Sequence, residues 1–173
     1  MISVLVLSAQ IAVAVPSDTP PPSPARRVQA VEVSEWYGRR LTLHRRLSYT
    51  VIPLFGFQYA AGMQIWEKGD GAPTWARRGH RIGAATIGGV FLVNTVTGAW
   101  NLWDSRHVEE GRARRYLHAA SMFVADAGFT WAGAVLSEQA ERSIQKRRLH
   151  RTVALSSMAL SITSGLIMYF TND

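Results

Sequence analysis

Four apolar runs, each about as long as a bilayer is thick when helical, dominate this chain: residues 47–66, 82–103, 116–136 and 152–170. Charge is nearly absent inside them and crowded between them. A soluble helical protein spreads its charges along its helix faces, so this segregation predicts an all-α integral membrane protein. The near-zero mean hydropathy conceals the pattern, because basic connecting segments offset the apolar runs. Those connections are short, and short connections join antiparallel neighbours, which predicts an up-and-down four-helix transmembrane bundle. Trp66, Trp100, Trp103, Tyr169 and Phe170 stand near run ends, where an aromatic belt would meet the headgroups. Pro53 is placed to kink the first helix.

The chain divides into three regions. Residues 1–15 are apolar but too short to span comfortably; with "AVA" before "VPSDTPPPSP" they resemble a secretory signal, although no Lys or Arg precedes the apolar core. An uncleaved interfacial segment is the alternative. Residues 16–43 hold a stiff proline-rich spacer and a partly amphipathic approach, with Trp36 and Tyr37 as headgroup anchors. Residues 44–171 are the expected helical domain.

The net charge of +7 raises nucleic acid as a partner, but the basic residues flank the apolar runs, where lipid headgroups receive them. No zinc-finger or RNP-like motif occurs, so membrane lipid and not nucleic acid is the expected partner. The 19 Lys and Arg divide almost evenly between the two faces, so the positive-inside rule gives no orientation. A cleaved signal would put the N-terminus outside, as in a bacterial inner membrane. The chain has no cysteine, which excludes disulfides, cysteine-ligated iron–sulfur clusters and covalent c-type haem, and leaves noncovalent haem open.

Histidine carries the chemistry. "LHRR", "GHRI", "LHAA" and "LHRT" place His44, His80, His118 and His150 at the start of the four runs. Successive helices run in opposite directions, so His44 and His118 fall near one face and His80 and His150 near the other. Helices one and three, and two and four, lie diagonally in a ring of four, and each pair can point across the core. Neutral imidazole is a strong ligand for transition metals, and two imidazoles with a flat apolar volume between them suit a six-coordinate haem iron. Zinc fits less well, since structural zinc wants four ligands together. Interfacial histidines without a ligand are the other reading. Glycines and alanines (Gly56, Ala60, Ala61, Gly62, Gly83, Gly88, Gly89, Gly98, Gly128, Gly133, Gly165) leave room for a macrocycle or simply let helices pack closely. Arg45, Arg81 and Arg151 follow three of the histidines and would pair with a haem propionate or snorkel to a headgroup. Asp126 lies well inside the third run; it would carry protons, tune a potential, or stay neutral and bonded to Asn94 or Gln58.

These four histidine positions resemble the four-helix dihaem core of the cytochrome b561 family, over residues 43–170. The segment "NLWDSRH", ending at His107, is similar to one that follows the second core helix there. The resemblance implies two haem b groups, His44/His118 and His80/His150, and transmembrane electron transfer. It implies that basic residues near a haem edge help bind the reductant, with Arg78 and His107 as candidates. The chain departs from the ascorbate-using branch in having four helices rather than six and no clear ascorbate signature, so the redox partner stays open among quinol, ascorbate, a ferric chelate and a protein. The expected function is electron transfer from a donor on one face to an acceptor on the other, as an oxidoreductase or a relay subunit. The alternative is a haem-free small transporter or an assembly subunit of a larger complex.

Overall fold

A computed structural model describes residues 34–171. The signal-like segment and the proline-rich spacer lie outside the described residues. Among the described residues the secondary structure is helical, with no strand. Helix α1 spans Glu35–Lys68, α2 Thr74–Asp104, α3 Arg112–Thr130, α4 Ser137–Arg142 and α5 Ile144–Phe170. Between α3 and α4 the chain continues through a π-helical turn, Trp131–Leu136, so that α3, the π turn and α4 form one unbroken rod. No break separates residues 35–43, the end of the amphipathic approach, from the first apolar run, because Ser34 caps one helix that contains both; its Oγ accepts from Tyr37 N at 3.2 Å.

The ends of the rods are set by local chemistry. Gly69 ends α1 with φ 53°, and Gly111 precedes α3 with φ 63°, values that favour glycine over any side chain. Pro73 supplies the extended residue before α2. Ser143 alone joins α4 to α5, and its hydroxyl caps α5 through Lys146 N. Arg115 holds the turn between α2 and α3 by donating to the carbonyls of Ser105 and Val108. The helix runs through Pro53.

Among the described residues three helical rods are long and apolar enough to cross a membrane: Thr74–Asp104, Arg112–Arg142 and Ile144–Phe170. This is consistent with an integral membrane protein. Helix α1 has the length but not the apolarity, because Ser48, Tyr49, Thr50, Gln58, Tyr59 and Gln64 dilute its apolar run. Large apolar side chains are nonetheless exposed on every rod, with Leu92 67% and Phe123 71% accessible. Such faces suit lipid rather than water.

Packing is closest within two antiparallel pairs, α1 on α2 and α3 on α5; α2 also meets α3, and α1 meets α5 at fewer points. Val51, Phe55, Ile87 and Phe91 form the buried centre, flanked by Met122, Phe129, Met158 and Ile162. The rings of Phe55, Phe91 and Phe129 lie 5.0–6.0 Å from one another between centroids. On α5 the buried positions are Ser157, Ser161 and Ser164, and small residues there bring α3 close. A Cβ built on Gly128 would stand 2.1 Å from Ser157 Oγ. Gly56, Gly88, Gly89, Gly133 and Gly165 have open space instead, so not every small residue marks a contact. Gly128→Val is therefore expected to push α3 from α5 and destabilise the fold by about 1–3 kcal/mol, whereas Gly133→Val costs far less. Thermal unfolding in detergent, followed by circular dichroism, checks the difference.

Candidate functional site

The structure brings the four histidines together in the pairs that alternation of direction requires. His44 of α1 faces His118 of α3, with ring centroids 6.3 Å apart and ring planes at 78°. His80 of α2 faces His150 of α5, at 6.2 Å and 61°. His44 lies level with Gly98 and His80 level with Gly62, so the two pairs are separated by about 27 Å of helix at 1.5 Å per residue. The phenylalanine cluster lies between them.

One register positions all four rings. Each histidine meets the residue that stands fourteen places after the histidine of its own antiparallel neighbour. His44 Nδ1 lies 3.1 Å from the carbonyl of Asn94. His118 Nδ1 lies 2.9 Å from Ser164 Oγ, and His150 Nδ1 3.0 Å from the carbonyl of Ala132. At His80 the equivalent residue is Gln58, whose side-chain amide donates to the His80 carbonyl at 3.0 Å and comes within 3.5 Å of Nε2. Because a carbonyl oxygen only accepts, Asn94 and Ala132 require the proton on Nδ1 of His44 and His150. That leaves the Nε2 lone pair as the one available for ligation. Ala132 belongs to the π turn, a feature often found at functional sites.

Glycines clear the space beside two rings. A Cβ on Gly98 would be 3.2 Å from His44 Cε1, and one on Gly62 would be 3.3 Å from His80 Cε1. Polar groups gather around His44 as well: Thr97 Oγ1 lies 3.3 Å from its Nδ1, Ser48 donates to its carbonyl, and Asn94 Nδ2 donates to Ser48.

The remaining sequence candidates are placed differently. Arg45 and Arg81 are exposed, because a residue adjacent to a histidine lies about 100° round the helix from it. Arg151 is half-buried, with its guanidinium 4.7 Å over the Trp66 ring and one nitrogen on Met63 Sδ. Arg78 and His107 are exposed at opposite ends of α2. Asp126 is bonded to Thr95 rather than to Asn94 or Gln58, and its other oxygen is buried without a partner. Asn94 and Gln58 face the α1–α2 contact, whereas Thr95, one residue on, faces α3.

Arg40 is a residue that adjacency in sequence did not suggest. It stands one turn before His44 on the same face, pairs with Asp104, donates to Asn101 Oδ1 at 3.2 Å and covers Trp100 at 4.9 Å. The i, i+4 spacing from His44 was the available signal.

Among the described residues there is no group of three or more His, Cys, Asp or Glu able to hold a metal ion. Each site therefore offers a pair of imidazoles and no third ligand of those kinds. No family model matches the chain, and no curated protein or solved structure matches it either. The absence of native cysteine allows a direct check of the pairing. A short bis-maleimide is expected to link cysteines at 44 and 118, or at 80 and 150, within one chain, and to fail at 44 and 150. Intact mass and retention of both fragments after proteolysis read the link.

Proposed function

We propose that the protein is a dihaem b-type cytochrome that moves electrons across a membrane, with His44 and His118 holding one haem and His80 and His150 the other. The facing of four histidines in two pairs carries this reading. The imidazoles of each pair face each other with ring centroids 6.3 and 6.2 Å apart, so each pair could hold one iron between them. Gly62 and Gly98, which lack the Cβ that would crowd a ring, fit this arrangement.

On this reading the four rods form an up-and-down transmembrane bundle, α1 included, and residues 1–15 act as a signal or an interfacial segment. Haem held by two imidazoles supplies reversible one-electron chemistry between ferric and ferrous iron. The chain's residues do the rest. The groups behind the Nδ1 atoms of His44, His118 and His150 aim those rings, while His80 Nδ1 has no such partner and Gln58 approaches its Nε2 instead. Phe55, Phe91 and Phe129 keep water from the space between the two sites. Arg151, over Trp66, places positive charge near one end, Arg40 at the other is already paired with Asp104, and exposed Arg45, Arg81, Arg78 and His107 would be available to propionates, headgroups or an anionic redox partner. Asp126, the acid within the apolar runs, is a proton-binding or potential-tuning group. The partner is a quinol, ascorbate, a ferric chelate or a protein, and the likeness to cytochromes b561 extends to this function.

A reduced-minus-oxidised visible spectrum of the detergent-purified chain, with haem quantified, tests the reading. Two low-spin b-type haems per chain are expected. His44→Ala and His118→Ala should each remove the same haem, and His80→Ala and His150→Ala the other. Protein made with ample haem that shows no Soret band would sink this function and favour a haem-free transporter or assembly subunit.

A further inference from the structure

We infer that Ser164 is the positioning residue that sets the electron-donating strength of His118. This rests on the haem reading above. Ser164 is 3% exposed, and its Oγ lies 2.9 Å from His118 Nδ1. On the haem reading Nε2 is the ligating nitrogen, so the proton sits on Nδ1, the Nδ1–H donates and the serine oxygen accepts. Such a bond behind a ligating imidazole fixes the tautomer and raises the basicity of the ligand.

The other buried serines of α5 are engaged elsewhere. Ser161 donates to the carbonyl of Ser157 in its own helix, and Ser157 Oγ packs against Gly128. The nearest acceptors behind His44 and His150 are backbone carbonyls, of Asn94 and Ala132, which no side-chain substitution removes, although Thr97 Oγ1 adds a longer contact at His44. At His118 the acceptor is a side chain, so the bond can be deleted without touching the backbone. A more basic imidazole favours ferric over ferrous iron, so the Ser164 hydroxyl lowers the potential of the His44/His118 site. Its removal raises that potential and leaves the His80/His150 site alone.

The experiment is an equilibrium redox titration of the haem-loaded full chain, followed by visible difference spectra, for wild type, Ser164→Ala and the control Ser157→Ala. In Ser164→Ala one of the two components should move to higher potential. Its reduction equilibrium shifts about tenfold, or about 59 mV for one electron. The other component, and both components of Ser157→Ala, should stay in place. Loss of one haem from Ser164→Ala, with the other retained, supports the same role, because outer-shell bonds carry about 10–100-fold in metal affinity. A wild-type titration in Ser164→Ala, or an equal shift in Ser157→Ala, overturns the inference. If Ser164→Ala does not accumulate, the similarly shaped Ser164→Thr and Ser164→Val decide. Threonine should keep the wild-type curve and valine should shift it, and identical curves from the two overturn the role. Wild-type protein without haem fails earlier and differently, and it overturns both this inference and its parent reading.

Discussion

Polar side chains on apolar helices need partners, and here the antiparallel packing of α1 on α2 and of α3 on α5 supplies several of them, while His80 Nδ1, Gln58 Oε1 and Asn94 Oδ1 stay buried without one. His44 reaches the Asn94 carbonyl, His118 the Ser164 hydroxyl and His150 the Ala132 carbonyl, while Gln58 closes on His80. A register slip of one residue in either pair would turn each of these groups by about 100° and strand a buried nitrogen or oxygen. The glycines and serines matter for the same reason. Gly128 against Ser157 lets α3 and α5 approach, and Gly62 and Gly98 leave the imidazoles room to stand upright between helices.

The two antiparallel pairs meet through fewer contacts than each makes within itself. What lies across that seam is orderly: a pair of imidazoles, a layer of phenylalanines, and a second pair of imidazoles. The histidines are thus held at two levels with a phenylalanine layer between them, while Asp126 with Thr95, and the buried Ser157 and Ser161, place further polar groups between those levels.

Much of this was legible in the residues. The phase of the four histidines fixed which of them would meet, because alternation of direction leaves no other pairing. Apolar length located the three rods that are apolar enough to span, whereas the first run lies in α1, which is long enough but too polar. The rest was not visible for identifiable reasons. Serine is nearly neutral in hydropathy, so the buried face of α5 did not stand out as Ser157, Ser161 and Ser164. The π turn at Trp131–Leu136 has no side-chain pattern to betray it. Arg45 and Arg81 drew attention by adjacency, yet the residue sharing a face with His44 is Arg40, four places earlier. Thr95 took Asp126 in place of Asn94 because one residue along α2 changes which neighbour is faced.

The common register has a consequence for how the chain enters its membrane. A half-turn about an axis lying between α1 and α2 exchanges His44 with His80, Gly62 with Gly98, and Phe55 with Phe91. A similar half-turn between α3 and α5 exchanges His118 with His150 and Ala132 with Ser164. Basic residues are shared almost evenly between the two ends. A chain inserted upside down would therefore present the histidine, phenylalanine and histidine levels in the same order, with the serine-backed His118 moved to the opposite face.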